Sequence, residues 1–329
     1  MSSIDTEMRK PSLDMAVKQR IAVKQIISPR HGESWTHTRQ GDPRGFIETT
    51  ALKELWIHTG SACNLSCPFC LEGSHPGDTR IPLLTLDEVK PFIHEAVELG
   101  VQQLSFTGGE PFVNRDFVNI LDFASQHLPC FVLTNGTQAL LGRAKQLAPL
   151  SNNPHPISFR ISLDYPDQSK HDEGRGEGSF AESLRGIKLL REQGFKVSIA
   201  RQMTPGENEQ AVNESFYSIF QENGISERLA FTVFPDFGLP GTDDGSPEVT
   251  ENCMLKYPTA QSRDDFMCSH TRMLVKRGDQ IRVFACTLVD DDPDYDLGAS
   301  LAESLKPRIM LRHHRCFACY SFGASCSAP

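Results

Sequence analysis

The segment CNLSCPFC places Cys63, Cys67 and Cys70 at the spacing C-x3-C-x2-C. Thiolates this close in the chain converge on one small metal centre. A closed structural zinc site takes four ligands, and no fourth is supplied nearby, because His58 and His75 sit at no finger-like spacing. Three thiolates on a four-iron cube leave one iron without a protein ligand. An open coordination position is where chemistry takes place, as at a catalytic zinc. A second group of cysteines lies far along the chain. Cys268 and Cys286 flank a turn at Arg277–Gly278–Asp279, and Cys316 and Cys319 form a C-x2-C pair. A hairpin brings the ends of its two strands together, and a C-x2-C loop can close the other side of a cube. Cys130 stands alone and reads as a small buried hydrophobe.

An alternation of short strands and helices must carry these residues. ELWIHTG reads as a strand running into the cysteine loop. TLDEVKPFIHEAVELG reads as a helix, with Thr85 as N-cap and Gly100 closing it. QLSFTGG, CFVLTNG, FRISLD, KVSIARQM and LAFTVFP are five further strands, and helices over about 114–127, SFAESLRGIKLLREQG and NEQAVNESFYSIFQENG separate them. This pattern predicts parallel βαβ units with right-handed crossovers. Six units are too few to close an eight-unit barrel, so the expected fold is α/β: a partial (β/α)6 barrel with a small C-terminal cysteine-rich α+β domain. The site of such a sheet lies at the carboxyl ends of its strands, where the polar motifs fall. The expected division is a 1–50 extension with little periodicity, a 51–240 barrel, and a 241–329 cysteine-rich domain with a strand pair in RMLVKRGDQIRVFAC.

The 329 residues carry a formal charge of −9, which argues against a general grip on nucleic acid. No apolar run is long enough to span a bilayer, and the polar, mixed-charge start of the chain is not a secretory signal. Those readings make the cytosol the default compartment. Ten cysteines in clusters then point to metal rather than disulfides.

C-x3-C-x2-C with Phe69 before the last cysteine resembles the signature of the radical S-adenosylmethionine (SAM) superfamily. The resemblance implies a [4Fe-4S] cluster on Cys63, Cys67 and Cys70 whose open iron is chelated by SAM. It also implies reductive cleavage of SAM to a 5′-deoxyadenosyl radical, and a reductant such as flavodoxin or ferredoxin. SFTGGEP resembles the family's GGE motif: Gly108 and Gly109 allow close backbone approach to a ligand, and Glu110 corresponds to the residue that binds the methionine ammonium. By the same resemblance Asn135 contacts the nucleoside, and Ser162 and Asp164 the ribose or the methionine portion. In HDEGRGEGSF, Arg175 approaches the SAM carboxylate, with Arg201 as a second candidate. Taken singly, Asn135, Ser162 and Asp164 are also ordinary turn residues at strand ends.

The second cysteine group, with its acidic loop and the DLG before a short helix, resembles the auxiliary-cluster domains called SPASM and, in shorter form, Twitch. The resemblance implies one auxiliary [4Fe-4S] cluster on Cys268, Cys286, Cys316 and Cys319. Cys253 and Cys326 are left over as substitutes, and a structural zinc is the alternative occupant. His313 and His314 read as surface residues. Two substrate classes remain open: a small polar metabolite that is oxidised or rearranged, and a peptide. An iron–sulfur electron carrier without SAM chemistry is the reading from a different class, and GGEP with the strand-end polar residues counts against it.

Overall fold

The computed structural model describes residues 34–204, 206–234, 237, 245–255 and 263–322. Cys326 and most of the expected N-terminal extension lie outside them. Six parallel strands follow the alternation in order: β2 (Glu54–His58), β3 (Gln103–Thr107), β4 (Cys130–Thr134), β5 (Ile157–Ser162), β6 (Lys196–Gln202) and β7 (Phe231–Phe234). Each matches a strand read from the sequence, because short segments rich in β-branched and aromatic residues alternate with longer helix-patterned ones and end in polar or glycine turns.

The hairpin of the cysteine-rich segment joins this same sheet. β8 (Thr271–Arg277) pairs parallel to β2, and β9 (Gln280–Phe284) closes the edge antiparallel to β8. The eight-stranded order is β7-β6-β5-β4-β3-β2-β8-β9, so the sheet runs through the expected boundary at 240 and leaves β7 and β9 as its edges. β1 (Phe46–Ile47) pairs with β10 (Ile309–Met310), fastening residues before the barrel to the C-terminal segment.

Strand alternation divides the core into two. Leu55, Ile57, Leu104, Phe106, Val132, Phe159, Ile161 and Ile199 point to the helices, among them Leu86–Glu98 and Ser179–Glu192. Trp56, Phe131, Met273 and Val275 point the other way, into a second apolar cluster with Tyr295, Leu311 and four of the C-terminal cysteines. Full burial of each large apolar side chain contributes about 1.5–3 kcal/mol, so both layers hold the sheet in place. The first long helix starts as read. The Glu88 carboxylate accepts from the Thr85 backbone N–H and hydroxyl, both at 2.9 Å, and Gly100 adopts the left-handed φ of +79° after the last turn. No helix among the described residues is long and apolar enough to cross a membrane.

Candidate active site

Between β2 and the first helix, residues 59–81 form a loop that doubles back under itself. Ser61 N–H donates to the Ile81 carbonyl at 3.0 Å, and Cys63 N–H to the His75 carbonyl at 3.3 Å. His75 therefore serves the cysteine loop through its backbone. The GGE turn clamps the same loop from β3. Gly109 N–H donates to the Gly60 carbonyl at 2.9 Å and Glu110 N–H to the Ala62 carbonyl at 3.0 Å. A Cβ on Gly109 would stand 2.3 Å from the Ala62 oxygen, and Gly108 sits at φ +139°. The glycines are needed first for this backbone-to-backbone approach.

Cys63, Cys67, Phe69, Cys70, Gly108, Gly109, Asn135, Ser162, Asp164 and Arg175 all line one cavity of about 250 Å³ at the carboxyl ends of the parallel strands. The structure thus brings together residues spread over more than a hundred positions. Cys67 is buried and its two neighbours half-buried. Burial pushes the Cys63 thiol up to about 12, the Leu65 N–H at 3.3 Å works against that, and Glu110, Cys70 and Cys67 add to it. Three thiols turned into one cavity suit a cationic metal group that takes them as thiolates.

Glu110 is held by hydrogen bonds from its neighbours. It is buried and does not line the cavity; its carboxylate accepts from Asn135 N–H and Thr134 Oγ1, each at 2.8 Å, and from Phe112 N–H at 3.2 Å. Burial lifts its pKa to about 7 against these three donors. Asn135 is likewise engaged. Its Nδ2 donates to Asn64 Oδ1 at 3.0 Å, and its Oδ1 accepts from the Thr137 hydroxyl at 2.6 Å, while Asn64 Nδ2 donates to that hydroxyl at 2.8 Å. This three-residue ring ties the cysteine loop to the end of β4. Asn64, the second residue of CNLSCPFC, was not singled out in the sequence reading, because nothing in its spacing separates it from a loop polar residue.

Arg175 donates from Nε to Asp164 at 2.6 Å, and its guanidinium lies 5.5 Å from the centre of the Phe69 ring. Burial opposes its charge, but Asp164, Cys67 and Cys70 outweigh that and raise its pKa. Asp164 also accepts from Gln202 N–H at 3.1 Å. Arg201, at the end of β6, lines the cavity and pairs through Nη1 with Glu207.

Sequence reasoning also missed His58, Glu72 and Asp290, whose side-chain ligand atoms lie within 4.8 Å of one another. His58 Nδ1 accepts from Gly60 N–H at 3.2 Å, which puts the ring proton on Nε2, 3.3 Å from Glu72. That proton occupies the nitrogen a metal would need, so the trio is a hydrogen-bonded cluster rather than a metal cage. It joins the cysteine loop to the acidic loop after Cys286.

The second cysteine group forms a closed site. Cys268, Cys286, Cys316 and Cys319 are all buried, and the other three all act on the Cys268 thiol, which burial raises well above its ordinary value. Cys316 is pushed up to about 11, mainly by burial. Four converging thiols in an apolar pocket fit a metal group that takes four thiolates. Cys253 is half-buried at the edge of the same apolar cluster, its Sγ accepting from the Thr250 hydroxyl at 3.3 Å. The expectation of surface histidines beside Cys316 is corrected: His313 and His314 are buried, and His313 Nε2 pairs with Asp291 at 3.1 Å. They were misread because an irregular segment has no period from which burial can be inferred.

Comparison with known proteins gives the same reading. Residues 57–216 match the family model described as the radical SAM superfamily. GTP 3′,8-cyclase of Tolumonas auensis is 28% identical over 144 residues, 43% of this chain and 42% of that protein. The mycofactocin maturase MftC of Mycolicibacterium smegmatis is 33% identical over 142 residues, 42% of this chain and 35% of that protein. The chain thus spans less than half the length of the curated relatives it matches. The crystal structure of Streptococcus suis SuiB bound to S-adenosylmethionine has a similar fold, with TM-score 0.55 and 17% identity over 76% of this chain and 64% of that one. The cysteine motif, the clamping GGE turn and the strand-end cavity are explained together by residues 57–216, the segment that matches the radical SAM superfamily, a family whose cofactors are a [4Fe-4S] cluster and SAM.

Proposed function

We propose that the protein abstracts a hydrogen atom from a small polar metabolite and that the resulting substrate radical is oxidised or rearranged. The observation that carries this is the single cavity lined by Cys63, Cys67 and Cys70 together with Asn135, Ser162, Asp164 and Arg175. Cys63, Cys67 and Cys70 would hold the first cluster. Its chemistry, when SAM is bound and one electron is supplied by a flavodoxin or ferredoxin, is cleavage of SAM to methionine and the 5′-deoxyadenosyl radical. Arg175, fixed by Asp164 beside Phe69, presents a guanidinium to a carboxylate in the cavity. Ser162 offers a hydroxyl at the end of β5, and Gly108 and Gly109 leave room for a ligand against the loop. Glu110 acts on SAM indirectly in this reading, by holding the Asn135 backbone and hence the ring that fixes the cysteine loop.

Residues 241–329 act as the auxiliary unit, with Cys268, Cys286, Cys316 and Cys319 holding a second [4Fe-4S] cluster. Because four thiolates close it, that cluster supports the fold or accepts the substrate's electron rather than binding substrate. The alternative substrate class, a peptide, is supported by the likeness to the mycofactocin maturase. The test is anaerobic reconstitution with iron and sulfide, then dithionite and SAM, with 5′-deoxyadenosine measured. Its formation supports the reading; a fully reconstituted protein that leaves SAM intact overturns it.

A further inference from the structure

Among the described residues, three side-chain polar atoms of the cavity lining are buried without a hydrogen-bond partner, and all three are donors: Nε and Nη2 of Arg201 and Nε1 of Trp56. Both side chains are fully enclosed. A buried N–H left unpaired is costly, and the adjacent pair on Arg201 marks a place where acceptors belong. Their geometry is specific. Arg201 spends Nη1 on Glu207, and the two nitrogens left over are those on one side of the planar guanidinium, the side-on fork. Two parallel N–H groups in that fork match two oxygens of a carboxylate or a phosphate.

The position of the fork separates it from the cluster. Arg175 stands over Phe69, between Cys67 and Cys70 in the chain, whereas Arg201 ends β6. Four strand spacings, about 19 Å along the sheet, lie between β6 and β2, which leads into the cysteine loop. Phe234 and Phe237 line the cavity on the β7 side, where β7 is the neighbour of β6. A SAM carboxylate held at the open iron belongs to the Arg175 side.

We propose that the Arg201 Nε/Nη2 fork is a specificity site that receives an oxyanion of the substrate, a carboxylate or a phosphate. The inference rests on the radical SAM reading for what else occupies the cavity, and it names the substrate class: an anionic metabolite.

The experiment is calorimetric titration of inorganic phosphate, and separately of acetate, into the reconstituted full chain loaded with SAM. Wild type, Arg201→Gln and Arg201→Lys are compared, and SAM affinity is measured for each. The expected result is that wild type binds at least one of the two anions in the presence of saturating SAM. Both variants then bind it at least ten-fold more weakly while their SAM dissociation constants stay within two-fold. Arg201→Lys keeps the charge beside Glu207 but not the fork, so its failure to restore anion binding identifies the fork as the feature at work. A ten-fold loss of SAM affinity in Arg201→Gln would assign the fork to SAM and overturn the proposal. So would wild type binding neither anion, or variants that bind them unchanged. Cleavage of SAM by wild type, measured alongside, tells failure of this inference from failure of the radical SAM reading.

Discussion

The two cysteine sites are built in opposite ways. Cys63, Cys67 and Cys70 lie within eight residues on one loop and open onto a cavity, with two of the three half-buried. Cys268, Cys286, Cys316 and Cys319 are drawn from a stretch of more than fifty residues and are buried in an apolar cluster with Tyr295, Leu288 and Phe284. The first site is assembled locally and then clamped from outside by the GGE turn and the Asn64–Asn135–Thr137 ring. The second exists only after β8 and β9 have joined the sheet beside β2 and the helix His314–Phe322 has closed over them. An open site admits a ligand to its metal; a closed one exchanges only electrons and folding free energy.

The largest expected effect separates the two sites by chemistry. Replacing Cys63, Cys67 and Cys70 together with alanine should abolish 5′-deoxyadenosine formation and lower iron from about eight to about four per chain. Residual SAM cleavage in that variant would place the open iron elsewhere. The next effect separates them by stability. Cys316→Ala with Cys319→Ala should remove the other four or so irons and destabilise the fold by several kcal/mol, because the site's metal contributes folding free energy. Thermal unfolding and iron analysis read this directly, and one zinc per chain in the wild type would replace the second cluster while leaving the first intact. If soluble variant is recovered, continued SAM cleavage with lost product would identify an electron acceptor, and full turnover a structural support.

A smaller effect belongs to the open half alone and is read by pH. Glu110 is raised by burial from 4.5 to about 7, so the folded state binds the extra proton and stability falls as pH rises from about 4.5 to 7. His171, buried with neither ring nitrogen partnered, is lowered by burial and by Arg175 from 6.5 to about 4. The unfolded state binds its extra proton, so stability rises with pH between about 4 and 6.5. The two slopes oppose each other over about pH 4.5–6.5. Glu110→Gln should therefore unmask a stability that climbs with pH by up to about 1.4 kcal/mol per unit, and His171→Phe should unmask the reverse. Unchanged pH profiles in both variants would show that neither group titrates in that window. The smallest effect tests the edge of the closed site: Cys253→Ser should keep the full iron content and change the melting temperature little, since Cys253 is only half-buried and its Sγ already accepts from the Thr250 hydroxyl. A loss of iron would make it a ligand.

Much of this was legible in the amino-acid order because the signals are local. Segments of four to seven residues, rich in β-branched and aromatic side chains and ending in polar turns, define the six strands, and three cysteines on one loop need no tertiary information to be read as one candidate metal site. What the order of residues could not convey is where polar groups spend their hydrogen bonds. Glu110 reads as a ligand to a cation, yet three donors from β4 and its own turn occupy its carboxylate. Asn135 reads as a nucleoside contact, yet it braces Asn64. The partners come from residues dozens of positions away, and their identity depends on strand register, which no periodicity reports.

The sequence by itself determined the parallel α/β sheet, the carboxyl-end location of its polar motifs and the proposed chemistry of Cys63, Cys67 and Cys70, since spacing and alternation are properties of neighbouring residues. Only the tertiary structure decided that the C-terminal hairpin extends the barrel sheet through β2, that His58, Glu72 and Asp290 meet between the two cysteine loops, and that two buried donors of Arg201 are left unpaired beside the cavity. Each of those is a meeting of groups far apart in the chain. It is set by burying two apolar faces of one sheet at once, and the polar side chains at the strand ends take whatever partners that packing leaves within reach.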